Sequence, residues 1–334
     1  MGQLEKKRDY KIDILRFIAI VCIIFAHTSP PGILFVLRNF DVTLMVMLMG
    51  TSYYLSNNGR SIDYKSYIIK RFNRLIIPTW IFLTIFFIVF YIISLLTKTD
   101  FEFGIKSIIA SYSLMGGIGY VWIMRVFFLV AILNPIILYI SRNIKSNVNY
   151  FIVLMAIYIV YLGLVGINSQ LNGLAKLIFE NIIVVSIGWG LIAAVGIRLK
   201  KLNKKELFLY AGIFLIIFIF LMIKYDFTST QNYKYPPTMY YISYGLFVSF
   251  TLLLLLDIKC IYNIFNNKIV KYISVNSLWL YFWHIIPIYI LSIYGESLPI
   301  LNDNFISRFI FIFVFALILT ISQQKIHAKI APIK

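Results

Sequence analysis

Ten runs of apolar residues, each close to the length of a membrane span, alternate with short polar connections along the chain. A helix that crosses the hydrocarbon core of a bilayer needs about 20 consecutive apolar residues. The pattern therefore predicts an all-α, polytopic membrane protein with about ten transmembrane helices. The predicted spans cover residues 12–28, 40–56, 75–97, 119–140, 150–167, 177–197, 207–223, 238–257, 274–294 and 304–324.

The basic residues between the spans predict the orientation of the chain. The N-terminal segment, every second connection and the C-terminal tail together contain 22 Lys and Arg residues, whereas the other five connections contain 6. Because cytoplasmic loops carry the excess of basic residues, we expect both termini in the cytoplasm. The segment 105–115 is too short to span and is expected to be interfacial or re-entrant. If it spans instead, every later helix is inverted.

The composition supports a membrane protein and gives no reason to expect a nucleic-acid partner. Of 334 residues, 61% are hydrophobic and 13% are charged, against about 25% charged residues in soluble domains. Basic loops that set topology and contact anionic lipid explain the net charge of +18, so no nucleic-acid partner is expected. The short connections predict one membrane domain over residues 1–334. Lys6, Lys7 and Arg8 precede the first span as in a retained anchor.

The first span carries three ionisable side chains, Asp13, Arg16 and His27. Such groups are costly inside a membrane and indicate function or a partner. Arg16 and His27 are 11 residues apart, so at about 100° per residue both project from one helix face. A neutral imidazole is well suited to remove a proton from a hydroxyl, and a hydrogen bond to another helix is the alternative role of His27. Asp13, one turn before Arg16, is expected to pair with it.

Arg71 and Arg74 lie just before the third predicted span. Residues three apart on a helix face the same way, so the two guanidinium groups form a clamp suited to phosphate or pyrophosphate. The alternative is ordinary basic flanking of a span on its cytoplasmic side.

Arg125 is predicted to lie inside the fourth span. An arginine in that position must face a carboxylate, backbone carbonyls or a water-filled cavity. Glu180 and Asp41 are the candidate partners, and both a structural ion pair and a substrate site are compatible with the pattern.

His284 falls in the middle of the ninth predicted span, close to Pro287. The proline removes a backbone hydrogen bond and exposes a carbonyl, which favours a polar interior there. A hydrogen-bonded patch with Ser277 is the alternative to a role in chemistry.

Several motifs are absent from the sequence. It contains no Walker loop, no GxSxG or HExxH motif, and no residues with metal-ligand spacing, so neither a metal site nor an ATP-driven pump is predicted. A transporter or flippase of a polysaccharide intermediate is an alternative class, because ten spans with buried charges also describe a carrier. No inverted repeat is visible to support it.

Five segments of the chain stand out together. They are the Arg-x10-His of Arg16 to His27, the Arg-x-x-Arg of Arg71 to Arg74, the segment at Trp122, Lys234-Tyr235-Pro236-Pro237, and the run from Ser277 to His284. Together they resemble the acyltransferase family 3 of membrane O-acyltransferases, and the likeness extends over essentially the whole chain. One departure lies in the second span, where Met45-Val46-Met47-Leu48-Met49-Gly50 replaces the paired phenylalanines before Ser-Gly that the family often shows.

The resemblance implies transfer of an acyl group, usually acetyl from cytoplasmic acetyl-CoA, to a hydroxyl of a cell-surface polysaccharide or its lipid-linked precursor. His27 would be the catalytic histidine and Arg16 its companion, while Arg71 and Arg74 would bind the CoA phosphates. No permanently bound cofactor is expected, and acetyl-CoA serves as the donor. The protein would lie in the cell membrane as a multi-pass protein, as in a bacterial plasma membrane.

Four further residues receive roles under this hypothesis. Arg125 is expected to steady the oxyanion that develops on the thioester carbonyl. His284, Glu180 and Asp41 are expected to contribute to substrate binding. Direct attack by the acceptor and an acyl-histidine intermediate both stay open.

Overall fold

The protein is described by a computed structural model that covers residues 9–295, 301 and 304–330, so Lys6, Lys7 and Arg8 lie outside the described part. Within it, every regular element longer than a turn is a helix, which confirms the all-α prediction. The helices are α1 (Tyr10–Ala26), α2 (Gly32–Leu37), α3 (Asp41–Asn57), α4 (Tyr64–Thr97), α5 (Ile105–Tyr112), α6 (Trp122–Asn143), α7 (Asn147–Gln170), α8 (Gly173–Ile178), the π-helix Phe179–Val184, α9 (Val185–Arg198), α10 (Lys204–Lys224), α11 (Met239–Leu255), α12 (Lys259–Phe265), α13 (Lys268–Val275), α14 (Ser277–Trp283), α15 (Ile285–Tyr294) and α16 (Phe305–Ile330).

The polytopic membrane architecture is also confirmed. In the described residues, eight helical stretches are long and apolar enough to cross a membrane, and a ninth is obtained when α11 and α12, which are bent by 99°, count as one span. A helix occupies each of the ten predicted spans. The helix at the first of them, α1, has 17 residues, about 26 Å at about 1.5 Å per residue. The cytoplasmic position of both termini stays a prediction.

Three predicted spans differ from the helices that occupy them. Helix α4 begins at Tyr64, well before the predicted start at residue 75. Its first turns are basic and lie outside the apolar run, so hydropathy alone did not include them in the span. Span 177–197 is interrupted by the π-helix, and span 274–294 is divided among α13, α14 and α15. Hydropathy indicates how long an apolar run is, whereas these interruptions depend on backbone hydrogen bonding.

Side chains cap several helices that begin after a polar connection, among them α1 and α10. Asp9 accepts a hydrogen bond from the backbone N–H of Lys11 at the start of α1 (3.1 Å). Asn203 and Glu206 form a reciprocal capping box at the start of α10. These bonds satisfy backbone N–H groups that have no partner inside their own helix.

The chain divides into two compact units, each made of separate stretches of sequence. The first unit comprises the described residues of 1–48, 203–234 and 239–334, and in it α1 packs on α13, α10 on α11, and α14 on α16. The second unit comprises 49–202 and 235–238, and in it α6 packs on α4 and α9. The single membrane domain inferred from sequence stays a prediction.

Arg198 in the second unit is a fully buried structural cation. Its guanidinium group donates to the backbone carbonyls of Ser141, Ile144 and Lys145 at 2.7–2.8 Å and lies 4.9 Å from the ring centroid of Tyr150. Carbonyls at the end of α6 have no partner inside that helix, so Arg198 satisfies them. The sequence analysis counted this residue only as a basic residue of a cytoplasmic loop.

Gly50 permits close packing of α3 on α9 in the second unit. A Cβ atom at this position would lie 3.2 Å from the Cα of Ala193 and closer still to the carbonyl group of that residue. One residue later, the hydroxyl of Thr51 donates to the carbonyl of Gly196 at 2.9 Å. The second span therefore requires a small residue at Gly50.

Candidate active site

Two histidines meet in the first unit. His27 follows the last residue of α1, and its backbone N–H still bonds to the carbonyl of Ile24 at 3.1 Å. His284 lies between α14 and α15. The two imidazole rings are 5.4 Å apart, centroid to centroid, at an interplanar angle of 34°. His284 is fully buried, and His27, taken as a whole residue, is partly exposed.

The hydrogen bond of His284 indicates which of its ring nitrogens carries the proton. Nδ1 of His284 bonds to the backbone carbonyl of Tyr281. A carbonyl only accepts, so Nδ1 is the donor, and in the neutral ring Nε2 is then an acceptor. The backbone of α14 thus orients the ring that lies beside His27.

A buried ion pair lies at the start of α3. Arg38 donates to Asp41 at 2.9 Å, and the two side chains are 7% and 1% exposed. The second carboxylate oxygen of Asp41 accepts from the backbone N–H of Val42 at 2.7 Å. The sequence analysis offered Asp41 as a partner for Arg125, and this assignment was wrong. The two residues that pair are three positions apart, which is the spacing of neighbours on one helix face.

Lys234 is a buried cation that had no role assigned to it from the sequence. It lies in the connection between α10 and α11 with 4% of its surface exposed, and its Nζ is 5.9 Å from the ring centroid of Tyr241. Burial lowers the pKa of Lys234 to about 8, against an opposing effect of Asp41 and a further lowering by Arg38. The only sequence signal was the Lys-Tyr-Pro-Pro segment.

The charges around His27 favour negative charge in a ligand or reaction intermediate. Arg38 and Lys234 are both within electrostatic range of His27. The carboxylate of Asp41 pairs with Arg38 and also attracts Lys234 electrostatically. Among the described residues of this cluster, two cations thus face one carboxylate, which leaves one positive charge in excess near the imidazole of His27. Such a charge stabilises an anion well in a site of low dielectric constant.

Arg16 is held near the other end of α1. Its guanidinium group contacts Asp13 at 3.3 Å and the hydroxyl of Ser274 at 3.5 Å, and this hydroxyl donates to Asp13 at 3.2 Å. The predicted ion pair of Asp13 with Arg16 is confirmed. Arg16 contacts α13 and His27 lies beside His284, so both residues face the consecutive segment 268–284.

Arg71 and Arg74 lie in the first turns of α4, in the second unit. The guanidinium carbon of Arg71 is 5.0 Å from the ring centroid of Tyr67, and Arg71 is partly buried, while Arg74 is exposed. Tyr67 packs in turn against Tyr53, with ring centroids 5.2 Å apart. The stacked ring restricts Arg71, and Arg74 keeps its charge accessible.

Arg125 and Glu180 line a pocket of about 310 Å³ in the second unit. Arg125 donates to the backbone carbonyl of Leu114 at 2.7 Å. Glu180, in the π-helix, accepts from the side-chain amide of Asn168 at 3.4 Å and attracts Arg125 electrostatically. Of the two candidate partners of Arg125, Glu180 is the one that shares its surroundings.

The model of the acyltransferase domain family designated acyltransferase 3 matches residues 9–322. The chain belongs to this family. Neither a search of curated proteins nor a search of solved structures found a match. The family match covers both units, so the histidine pair and the Arg125 pocket belong to one membrane acyltransferase.

The predicted site residues of this acyltransferase are divided between its units. The first unit brings together His27, His284 and Asp41, with Arg16 on the same helix as His27, and adds Arg38 and Lys234. The second unit holds Arg71, Arg74, Arg125 and Glu180. In chemical terms, the first unit holds two adjacent imidazoles with cations nearby, and the second holds basic residues and a polar pocket.

Proposed function

We propose that this acyltransferase transfers an acetyl group from cytoplasmic acetyl-CoA to a hydroxyl of a cell-surface polysaccharide or its lipid-linked precursor, with His27 as general base. Family membership supports acyl transfer in general. The observation that carries the proposal is the imidazole of His27, which lies 5.4 Å from the buried ring of His284 and within electrostatic range of two cations. We further propose a bacterial plasma membrane as its location.

In the proposed reaction, a ring nitrogen of His27 accepts the proton of the acceptor hydroxyl. The hydroxyl oxygen then forms a bond to the thioester carbon, whose carbonyl oxygen becomes negatively charged. When the carbonyl forms again, the carbon–sulfur bond breaks, and the CoA sulfur takes the proton that His27 holds. General bases of this kind contribute about 10²- to 10⁴-fold to a rate.

The negative charge on the carbonyl oxygen needs a positive partner in a fixed position. The sequence analysis assigned this role to Arg125. Lys234 of the first unit is a second candidate. It is within electrostatic range of His27, and burial and the ring of Tyr241 hold it in place. A cation that is already in place stabilises the developing charge without reorganisation of the site.

Arg16 is proposed as a positioning residue of the same site. Its contacts are with Asp13 and Ser274, and these join the first half of α1 to α13. His27 is at the end of the same helix, so the position of α1 decides where its ring lies relative to His284. Arg16 thus acts through the placement of His27.

Arg71 and Arg74 are proposed to bind the phosphates of the donor. They lie one turn apart on α4, and Arg71 is restricted by Tyr67. Guanidinium groups form charge-assisted hydrogen bonds with phosphate oxygens. With both termini in the cytoplasm, as the basic loops predict, these residues face the compartment that supplies acetyl-CoA.

The proposal is tested with the purified full-length protein in proteoliposomes, with radiolabelled acetyl-CoA and the surface polysaccharide of a deletion strain as acceptor. Wild-type protein is expected to label the polysaccharide, whereas His27→Ala is expected to lower labelling by about 10²-fold or more. The NMR spectrum of the polysaccharide from the deletion strain should lack acetyl signals. These signals should return when the wild-type gene is supplied again. Retained transfer by His27→Ala would contradict the base assignment. Movement of polysaccharide into the vesicles without acetyl-CoA would favour the carrier alternative.

A further inference from the structure

The pocket of the second unit combines aromatic rings with opposite charges. It occupies about 310 Å³, which is close to the lower end of the range for small-molecule sites, roughly 300–1,000 Å³. Its residues come from the start of α6, the π-helix, α9 and the segment 235–237. They are Trp122, Arg125, Glu180, Asn181, Val184, Val185, Trp189, Tyr235, Pro236 and Pro237.

Three of these residues form an aromatic corner. The ring centroid of Trp122 lies 4.8 Å from that of Tyr235, at an interplanar angle of 90°, and 6.1 Å from that of Trp189. Trp189 is 1% exposed and is therefore part of the core, whereas Tyr235 is 52% exposed. Aromatic faces are electron-rich and attract the hydrogen atoms of C–H groups. A ligand with one apolar, C–H-covered face fits such a corner.

The polar side of the pocket holds a hydrogen-bond donor and an acceptor that do not satisfy each other. Nε of Arg125 is buried and has no hydrogen-bond partner among the described residues. Glu180 attracts Arg125 electrostatically, but within those residues no direct ion pair joins their side chains. The amide of Asn168 provides only one contact to the Glu180 carboxylate, at 3.4 Å, and a carboxylate accepts several hydrogen bonds.

The π-helix explains why Glu180 and Asn181 both line the pocket. In an α-helix, consecutive residues are about 100° apart around the axis. The π-turn of Phe179–Val184 holds more residues per turn, so consecutive side chains lie closer together around the axis. Such turns are frequent at functional sites. The segment therefore places a carboxylate and an amide at one cavity in the middle of an apolar helix.

These features select among possible occupants. An anion would be repelled by Glu180, a cation would be repelled by Arg125, and an acyl chain would leave both charges without partners, which is costly in a buried site. A neutral sugar ring satisfies every requirement, because its C–H face packs on the aromatic corner and its hydroxyls bridge Arg125 and Glu180. We propose that this pocket binds one neutral pyranose ring of the acceptor, an inference that rests on the proposed function.

The binding test uses saturation-transfer NMR with the full-length protein in lipid nanodiscs. Glycoside detergents are left out because their headgroups are pyranose rings. The probes are methyl α-D-glucopyranoside and methyl α-D-galactopyranoside, compared with methyl glucuronide and laurate. We expect saturation transfer to at least one neutral glycoside, a loss of about tenfold or more in affinity for Trp122→Ala and the isosteric Glu180→Gln, and retained binding for Trp122→Phe.

Trp80→Phe serves as the matched control, because Trp80 lies on α4 and is not among the residues of the pocket. Thermal unfolding of each variant checks that it is folded. Preference for the glucuronide or laurate, absence of transfer to both neutral glycosides, or unchanged binding by Trp122→Ala and Glu180→Gln would overturn the inference. Neutral-glycoside binding that depends on Trp122, without acetyl transfer in the separate activity assay, would leave the pocket in place and reject the proposed function alone.

Discussion

The imidazole ring of His284 lies 5.4 Å from that of His27, and His284 is fully buried. The carbonyl of Tyr281 orients His284, so that its other nitrogen is an acceptor. If His27 is the general base, as proposed, a polar neighbour in this position stabilises the proton that it receives.

His284→Phe is therefore expected to lower kcat by about 10- to 100-fold, less than His27→Ala, because the ring volume is kept and the polar neighbour is lost. Steady-state acetyl transfer measures this change. His327→Phe replaces an exposed histidine of α16 and is expected to be silent. Full activity of His284→Phe would mean that His284 only packs against His27.

Lys234 is expected to limit activity at alkaline pH. Burial lowers its pKa to about 8, with Asp41 and Arg38 as the charged groups around it. As pH rises through about 8, Lys234 loses its proton and the site loses a cation, so kcat should fall. Lys234→Arg keeps its charge at higher pH and should extend activity to the alkaline side, whereas Lys234→Met should be impaired at every pH.

The control for this profile is Lys224→Met, which removes an exposed lysine at the end of α10. Its pH profile should equal that of the wild type. An identical alkaline limb for wild type and Lys234→Arg would show that another group causes the decline.

Replacement of Arg71 and Arg74 together by Gln is expected to raise the KM for acetyl-CoA about tenfold or more, which corresponds to a loss of about 1.4 kcal/mol. The reason is the loss of charge-assisted hydrogen bonds to phosphate. Lys70→Gln removes an exposed charge beside Arg71 and should change the KM much less. Equal effects in the two variants would assign Arg71 and Arg74 to topology alone.

Gly50→Ala is expected to destabilise the protein by about 1–3 kcal/mol, because the added methyl group meets the backbone of Ala193. Gly163 in α7 has open space around its Cβ position, so Gly163→Ala should stabilise by roughly 0.5–1 kcal/mol through helix propensity. Thermal unfolding in one detergent compares the two variants. Equal changes for both would remove the argument for close packing of α3 on α9.

Part of the site was accessible to sequence reasoning because its geometry is local. The spacing of Asp13 and Arg16 predicted their ion pair. The same rule applied to Arg38 and Asp41 would have found the second one, since these residues are also three positions apart. Asp41 was instead offered, beside Glu180, as a candidate partner of Arg125, because all three residues lie in predicted spans.

The helices and the membrane character of this protein could be predicted from the amino-acid sequence, because a span depends only on about 20 consecutive residues and their hydropathy. The sequence also identified the ionisable side chains that lie inside predicted spans, such as Asp13, Arg125 and His284. The folded structure was needed to show that His27 lies beside His284, that Lys234 is buried rather than solvated in its loop, and that a π-helix places Glu180 at the pocket of Arg125. These relationships join segments that are far apart in the chain, and they depend on packing, which no local pattern of residues records.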